Sequence, residues 1–125
     1  MNSLSQISRI RQRIAQLARE RKAAERVFTG RKELLKGTVT EVRRTCGKPG
    51  CKCGKGDKHL CYQLSASIKG RTRTHNVPRK YLAKVKHLTG DYRRFRRARA
   101  NWVRINTRML ELINELEVTR ITSDF

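Results

Sequence analysis

The amino-acid sequence predicts an α+β fold: an N-terminal helix, a small three-stranded antiparallel sheet and a long C-terminal helix that packs in coiled-coil fashion. Three observations lead there. Apolar residues recur at helical spacing over 3–28, alternate with polar ones over 62–69, and return at heptad spacing from 81 to 116.

The first helix rests on Leu4, Ile7, Ile10, Ile14, Leu17, Ala24 and Phe28. Ser3 or Ser5 is suited to cap its start, and Thr29-Gly30 to stop it, because glycine tolerates the left-handed conformation that ends helices. Residues 36–45 (KGTVTEVRRT) are rich in the Thr and Val that fit a pleated surface. Tyr62, Leu64, Ala66 and Ile68 alternate with polar neighbours, and Lys69-Gly70 turns the chain into a third strand over 71–77. Pro78 ends that strand and opens a helix. Its seam is read as Tyr81, Val85, Leu88, Tyr92, Phe95, Arg99, Trp102, Asn106, Met109, Ile113 and Leu116, one long helix whose spacing holds across Gly90, with Thr89-Gly90-Asp91 the place for a kink or brief break and fraying over 119–125. Segments 1–30, 36–78 and 79–120 are thus an amphipathic helix, a meander and a basic helix of one structural unit.

The charge is extreme. Among 125 residues, 31 Lys and Arg face 10 Asp and Glu, a formal net charge of +21. A merely soluble small domain needs a magnitude of about 2–8, so this excess points to a polyanion, with nucleic acid first. No run reaches the length of a membrane span, and the N-terminus lacks the apolar stretch of a signal peptide. A cytoplasmic place, associated with the nucleoid or a ribonucleoprotein, is expected, with cysteines that are reduced or metal-bound.

All four cysteines, Cys46, Cys51, Cys53 and Cys61, lie with His59 in TCGKPGCKCGKGDKHLCYQL. Thiolate and imidazole supply the four ligands that Zn2+ takes in a tetrahedron. Glycines 47, 50, 54 and 56 let the loop turn sharply, and Lys48, Lys52, Lys55 and Lys58 favour thiolate over thiol. A structural zinc is expected, which makes the sheet zinc-ribbon-like. Cys46, Cys51 and Cys53 form the common part of the ligand set, and either His59 or Cys61 completes it. Four protein ligands leave no open position for chemistry.

CGKPGCKCGKGDKHLCYQLS, with the strand pair and RKYL…YRRFR after it, resembles a family of small prokaryotic proteins of unknown function. Its members carry a Cys-Gly-Lys-Pro-x-Cys-x-Cys loop, a His-Gly-Pro-Tyr segment, a strand-turn-strand and a long helix. The resemblance spans roughly residues 36–115 and implies Cys46, Cys51, Cys53 and His59 as ligands. It also implies an association with mobile-element genes. Leu60-Cys61 stands where the family has Gly-Pro, which keeps Cys61 as the alternative fourth ligand.

The segment DYRRFRRARANWVR concentrates arginine, and nothing acidic lies between Asp91 and Glu111. Arg93, Arg97, Arg104 and Arg108 fall within about 60° on a helix, and Arg94 and Arg96 flank them. Planar guanidinium groups meet phosphate bidentately. Arg43, Arg44, Lys48, Lys52, Arg71, Arg73, Arg79 and Lys80 complete the candidate nucleic-acid contacts. Tyr92, Phe95 and Trp102 sit on the seam and are read as packing rather than base-stacking residues, and His75 and His87 as isolated surface residues. With no phosphate loop, no HExxH and no carboxylate pair in the basic region, a non-enzymatic protein is expected. A DNA-binding accessory factor, possibly of a mobile element, is the first reading. An RNA-binding or ribonucleoprotein component is the second, and a coiled-coil adaptor for an acidic protein the third. Helices 3–28 and 81–116 are candidate surfaces for a second copy or a protein partner.

Overall fold

The structure, a computed structural model, describes residues 3–45, 49–50, 56 and 58–125. Helix α1 spans Ser3–Phe28. Three strands follow, β1 (Thr38–Arg44), β2 (His59–Ile68) and β3 (Arg71–Asn76), and then helix α2, Arg79–Arg120. The fold is α+β. The chain divides into two compact units, one of Met1–Arg31 with Arg94–Phe125 and one of Lys32–Arg93.

The first unit is a helix pair. α1 closes where Thr29 donates its amide (2.9 Å) and its hydroxyl (2.5 Å) to the Glu25 carbonyl. Phe28 meets Trp102 edge-on at 6.2 Å, Arg21 reaches Asn106, and Ile10 lines a groove with Asn114 and Val118. Partner numbers rise along α2 as they fall along α1, so the helices run antiparallel. Leu17, Ile105, Met109 and Leu112 form the buried core, with Ile10, Ile14 and Ala18 packed against it. At about 1.5–3 kcal/mol for each fully buried side chain, this is a thin core.

The seam differs from the predicted one. Phe95, Trp102, Asn106, Met109 and Leu116 lie on or beside the packed face as anticipated, Asn106 through Arg21 of α1, but Ala98 and Leu112 line it in place of Arg99 and Ile113, and Ile105 is buried beside Asn106. Arg99 is exposed and Ile113 is 48% exposed. Desolvating an arginine is costly, whereas the neighbouring positions offer Ala, Ile and Leu, so the helix settles rotated by one residue.

The second unit holds the sheet, ordered β1-β2-β3 and antiparallel throughout. Thr38 pairs with Ser65 and Arg44 with His59 on one side of β2, and Gln63 pairs with Asn76 and Ile68 with Arg71 on the other. Lys69 (φ 51°) and Gly70 (φ 78°) are both left-handed, as a two-residue hairpin turn with this twist requires. At Gly37 (φ 140°) an added Cβ would lie 2.7 Å from Leu64 Cδ1 and 2.9 Å from the Ser65 carbonyl, so β1 begins where only glycine fits. The Leu35 amide donates to the Leu88 carbonyl (3.2 Å), and Lys86 Nζ lies 5.4 Å from the Tyr62 ring centre. These two contacts join the first turns of α2 to the sheet.

α2 passes through Thr89-Gly90-Asp91 as helix. Thr89, 1% exposed, donates its hydroxyl to the Lys86 carbonyl at 3.1 Å, and buried Asp91 accepts His87 Nε2 at 3.3 Å. Both buried polar side chains at this turn thus have local partners, Thr89 the Lys86 carbonyl and Asp91 the His87 ring, so the helix continues without leaving them unsatisfied.

Candidate nucleic-acid interface and metal loop

On α2 every arginine from 93 to 108 is exposed: Arg93, Arg94, Arg96, Arg97, Arg99, Arg104 and Arg108. The helical period places Arg97, Arg104 and Arg108 on one side of the helix-pair unit within about 40°, and Arg93 continues the row on the same helix. They are not equivalent. Arg108 Nη1 lies 2.9 Å from Glu111 Oε2 and 3.9 Å from Glu115 Oε1, so two carboxylates of its own helix offset its charge. Arg104 donates to Asn101 Oδ1, a neutral partner that leaves the positive charge in place. Arg99, predicted as a seam residue, is an exposed cation instead; the signal for this was its own charge at a position meant for packing.

In the sheet unit, the strand register sorts the other candidates. Residues directly opposite share a face, so Arg71 (opposite Ile68), Arg73 (opposite Ala66), His75 (opposite Leu64) and Arg43 (opposite Leu60) lie on one face. Arg44, opposite His59, lies on the other, where its guanidinium meets the side-chain amide of buried Gln63. The adjacent pair Arg43-Arg44 is therefore split. Arg43 also stands eight β2 residues from Arg71, about 26 Å at 3.3 Å per residue, so the sheet does not bring these two together. Arg71 and Arg73 form a short exposed row on β3, an edge strand. Arg79 and Lys80 are exposed in the first turn of α2, which carries no acid, and Lys80 Nζ lies 5.0 Å from the Tyr81 ring centre.

The predicted stacking and histidine assignments also resolve. Trp102 donates Nε1–H to Glu25 Oε1 at 3.2 Å and packs on Phe28, so it serves the helix pair. His75 is exposed, while His87 is not isolated, being paired with Asp91.

Of the candidate metal loop, Cys46, Lys48, Cys51, Lys52 and Cys53 lie outside the described residues. Its far side is described. β2 begins at His59, three residues before the alternating pattern, because His59, Leu60 and Cys61 pair with Arg44, Arg43 and Val42. His59 and Cys61 consequently share one face of β2. His59 is exposed at the strand end next to the loop; Cys61 is half-buried, opposite Val42 and beside Val77. Among the described residues no three Cys, His, Asp or Glu side chains converge as a metal site. Thiolate and imidazole remain a donor set suited to zinc, and the strand pairing brings its two described members to the mouth of the loop.

Among the described residues, no helix is long and apolar enough to cross a membrane. A family model described as a domain of unknown function (DUF6788) matches residues 5–87. The match thus takes in α1, the cysteine loop and the sheet, and ends within α2, so it lies closer to the N-terminus than the resemblance placed at 36–115. No curated protein and no solved structure matches the chain.

Proposed function

The chain belongs to this family of unknown function, and from its own residues we propose that it is a non-enzymatic, zinc-stabilised nucleic-acid-binding protein that grips phosphates. The observation that carries the proposal is the exposed arginine row of α2, in which neither Arg97 nor Arg104 pairs with a carboxylate among the described residues, within a chain of net charge +21. Single-sign rows of this kind repel themselves unless a polyanion offsets them. Phosphate is the fitting ligand for a planar, permanently charged fork. The β3 arginines add a second such surface, on the sheet unit.

Duplex DNA is the first substrate of this reading, as for an accessory factor of a mobile element, and the location that goes with it is nucleoid or ribonucleoprotein. A structural Zn2+ held by Cys46, Cys51, Cys53 and His59 would close the loop between β1 and β2, with Cys61 as the alternative fourth ligand. Bound there, zinc would cross-link residues distant in sequence and stabilise the small sheet.

Titrating the protein against duplex DNA, structured RNA and single strands over a range of salt tests the reading. Neutralising about six phosphates gives a slope of log Kobs against log salt near −5. Tightest binding to structured RNA would move the proposal to a ribonucleoprotein role, and binding to none of the three, or binding indifferent to salt, would refute it.

A further inference from the structure

Within the helix-pair unit α2 carries a second stripe, on the other side from the row of Arg97, Arg104 and Arg108 and beside the seam packed on α1, which it meets at Asn106. Arg99, Val103, Asn106, Leu110, Ile113 and Glu117 follow at intervals of four, three, four, three and four residues, the rhythm of a coiled-coil seam. At 100° per residue they fall within about 80° of one another. Val103 is 47% exposed, Leu110 59% and Ile113 48%, whereas Ile105 and Leu112 next to them are buried. Asn106 is engaged by Arg21 of α1 at 3.1 Å. The remaining apolar members are spaced for a partner helix and are covered by none among the described residues, and clustered exposed apolar residues of this kind mark interaction surfaces.

We propose that a second copy of the chain docks on this stripe, its α2 running antiparallel across a two-fold axis near residue 108. The order of charges selects this occupant. The stripe starts at Arg99, in the arginine-rich part of α2, and ends at Glu117, in the part that holds Glu111 and Glu115. An antiparallel copy sets Arg99 against Glu117 and Val103 against Ile113, and the two-fold repeats each pairing. A parallel copy would set Arg99 against Arg99 and Glu117 against Glu117. Arg97 and Arg104 lie about 150° around the helix from the stripe, so their charges stay outside the interface. Two helix pairs joined this way make a four-helix bundle, which thickens a core that is thin in one copy. The inference stands independently of nucleic-acid binding.

Sedimentation equilibrium of the full-length, nuclease-treated protein across micromolar concentrations tests it. A reversible monomer–dimer equilibrium is expected. Leu110→Glu should be monomeric with unchanged helical circular dichroism, since Leu110 lies outside the intramolecular core. Arg99→Glu and Glu117→Arg should each weaken the dimer about tenfold, because each replaces two opposite-charge pairs by two like-charge ones, and the double variant R99E/E117R should recover it. A monomer at every concentration, a dimer that survives Leu110→Glu, or charge swaps that fail to weaken and then restore association would overturn the proposal.

Discussion

Arg21 Nη1 donates to Asn106 Oδ1 at 3.1 Å and lies 3.6 Å from the Met109 sulfur. The contact belongs to a closed ring of polar groups. Arg21 Nε is 3.7 Å from Glu25 Oε1, Glu25 accepts Trp102 Nε1–H at 3.2 Å, and Asn106 Nδ2 donates back to the Trp102 carbonyl at 2.9 Å. An apolar seam of regular heptads allows helices to slide by one repeat, and a polar contact at one position penalises the slip. This ring supplies such a contact between α1 and α2.

If the ring acts as a unit, its members are energetically coupled. A double-mutant cycle of Arg21→Ala and Asn106→Ala in urea denaturation, at one protein concentration, should give a coupling of about 0.5–1.5 kcal/mol. Strictly additive losses would mean that the contact does not contribute.

The hairpin turn carries a removable cost. Lys69 is the single described non-glycine residue with positive φ, at 51°. Lysine there meets the Cβ–carbonyl clash of the left-handed region, which asparagine tolerates far better. Lys69→Asn should therefore stabilise the sheet unit by up to about 1 kcal/mol, read as a higher denaturation midpoint. An unchanged or lower midpoint would contradict this account of the turn.

The arginines of α2 should contribute unequally to nucleic-acid binding. Arg97→Ala and Arg104→Ala should each flatten the salt slope by about 0.9, one phosphate contact apiece, and weaken binding to all sequences alike. Arg108→Ala should do less, because Glu111 and Glu115 already offset its charge. Equal effects at all three positions would show that the intrahelical ion pairs do not survive in the complex.

Zinc content separates the two candidates for the fourth ligand. His59 stands exposed at the loop end of β2, while Cys61 is half-buried opposite Val42. His59→Ala should lower bound zinc as purified, and Cys61→Ser should leave it near one ion per chain. The reverse pattern would make Cys61 the ligand. Zinc lost from neither variant would place the fourth ligand elsewhere.

Elements built by local rules were legible in advance. α1 spans Ser3–Phe28 as its apolar spacing and Thr29-Gly30 stop indicated, and the Lys69-Gly70 turn joins the strands it was expected to join. The start of β2 was not legible. His59, Leu60 and Cys61 sit among glycines and lysines without alternation, and only their pairing with β1 makes them strand. The same holds for the candidate contacts: charge identified Arg43 and Arg44 together, whereas the pleat assigned them to opposite faces. His87 looked isolated because its partner, Asp91, was read as part of a helix break rather than as a buried acid one turn away.

By itself, then, the sequence determined that two amphipathic helices flank a three-stranded meander and that α2 is overwhelmingly basic, because periodicity and charge are properties of neighbours along the chain. Which heptad stripe of α2 would be buried was decided by tertiary structure alone. Positions 99 and 113 keep the heptad spacing as faithfully as 98 and 112 do. Packing against α1 separates them, since burying Ala98, Ile105 and Leu112 releases water from apolar surface while burying Arg99 would strip a charge of its hydration.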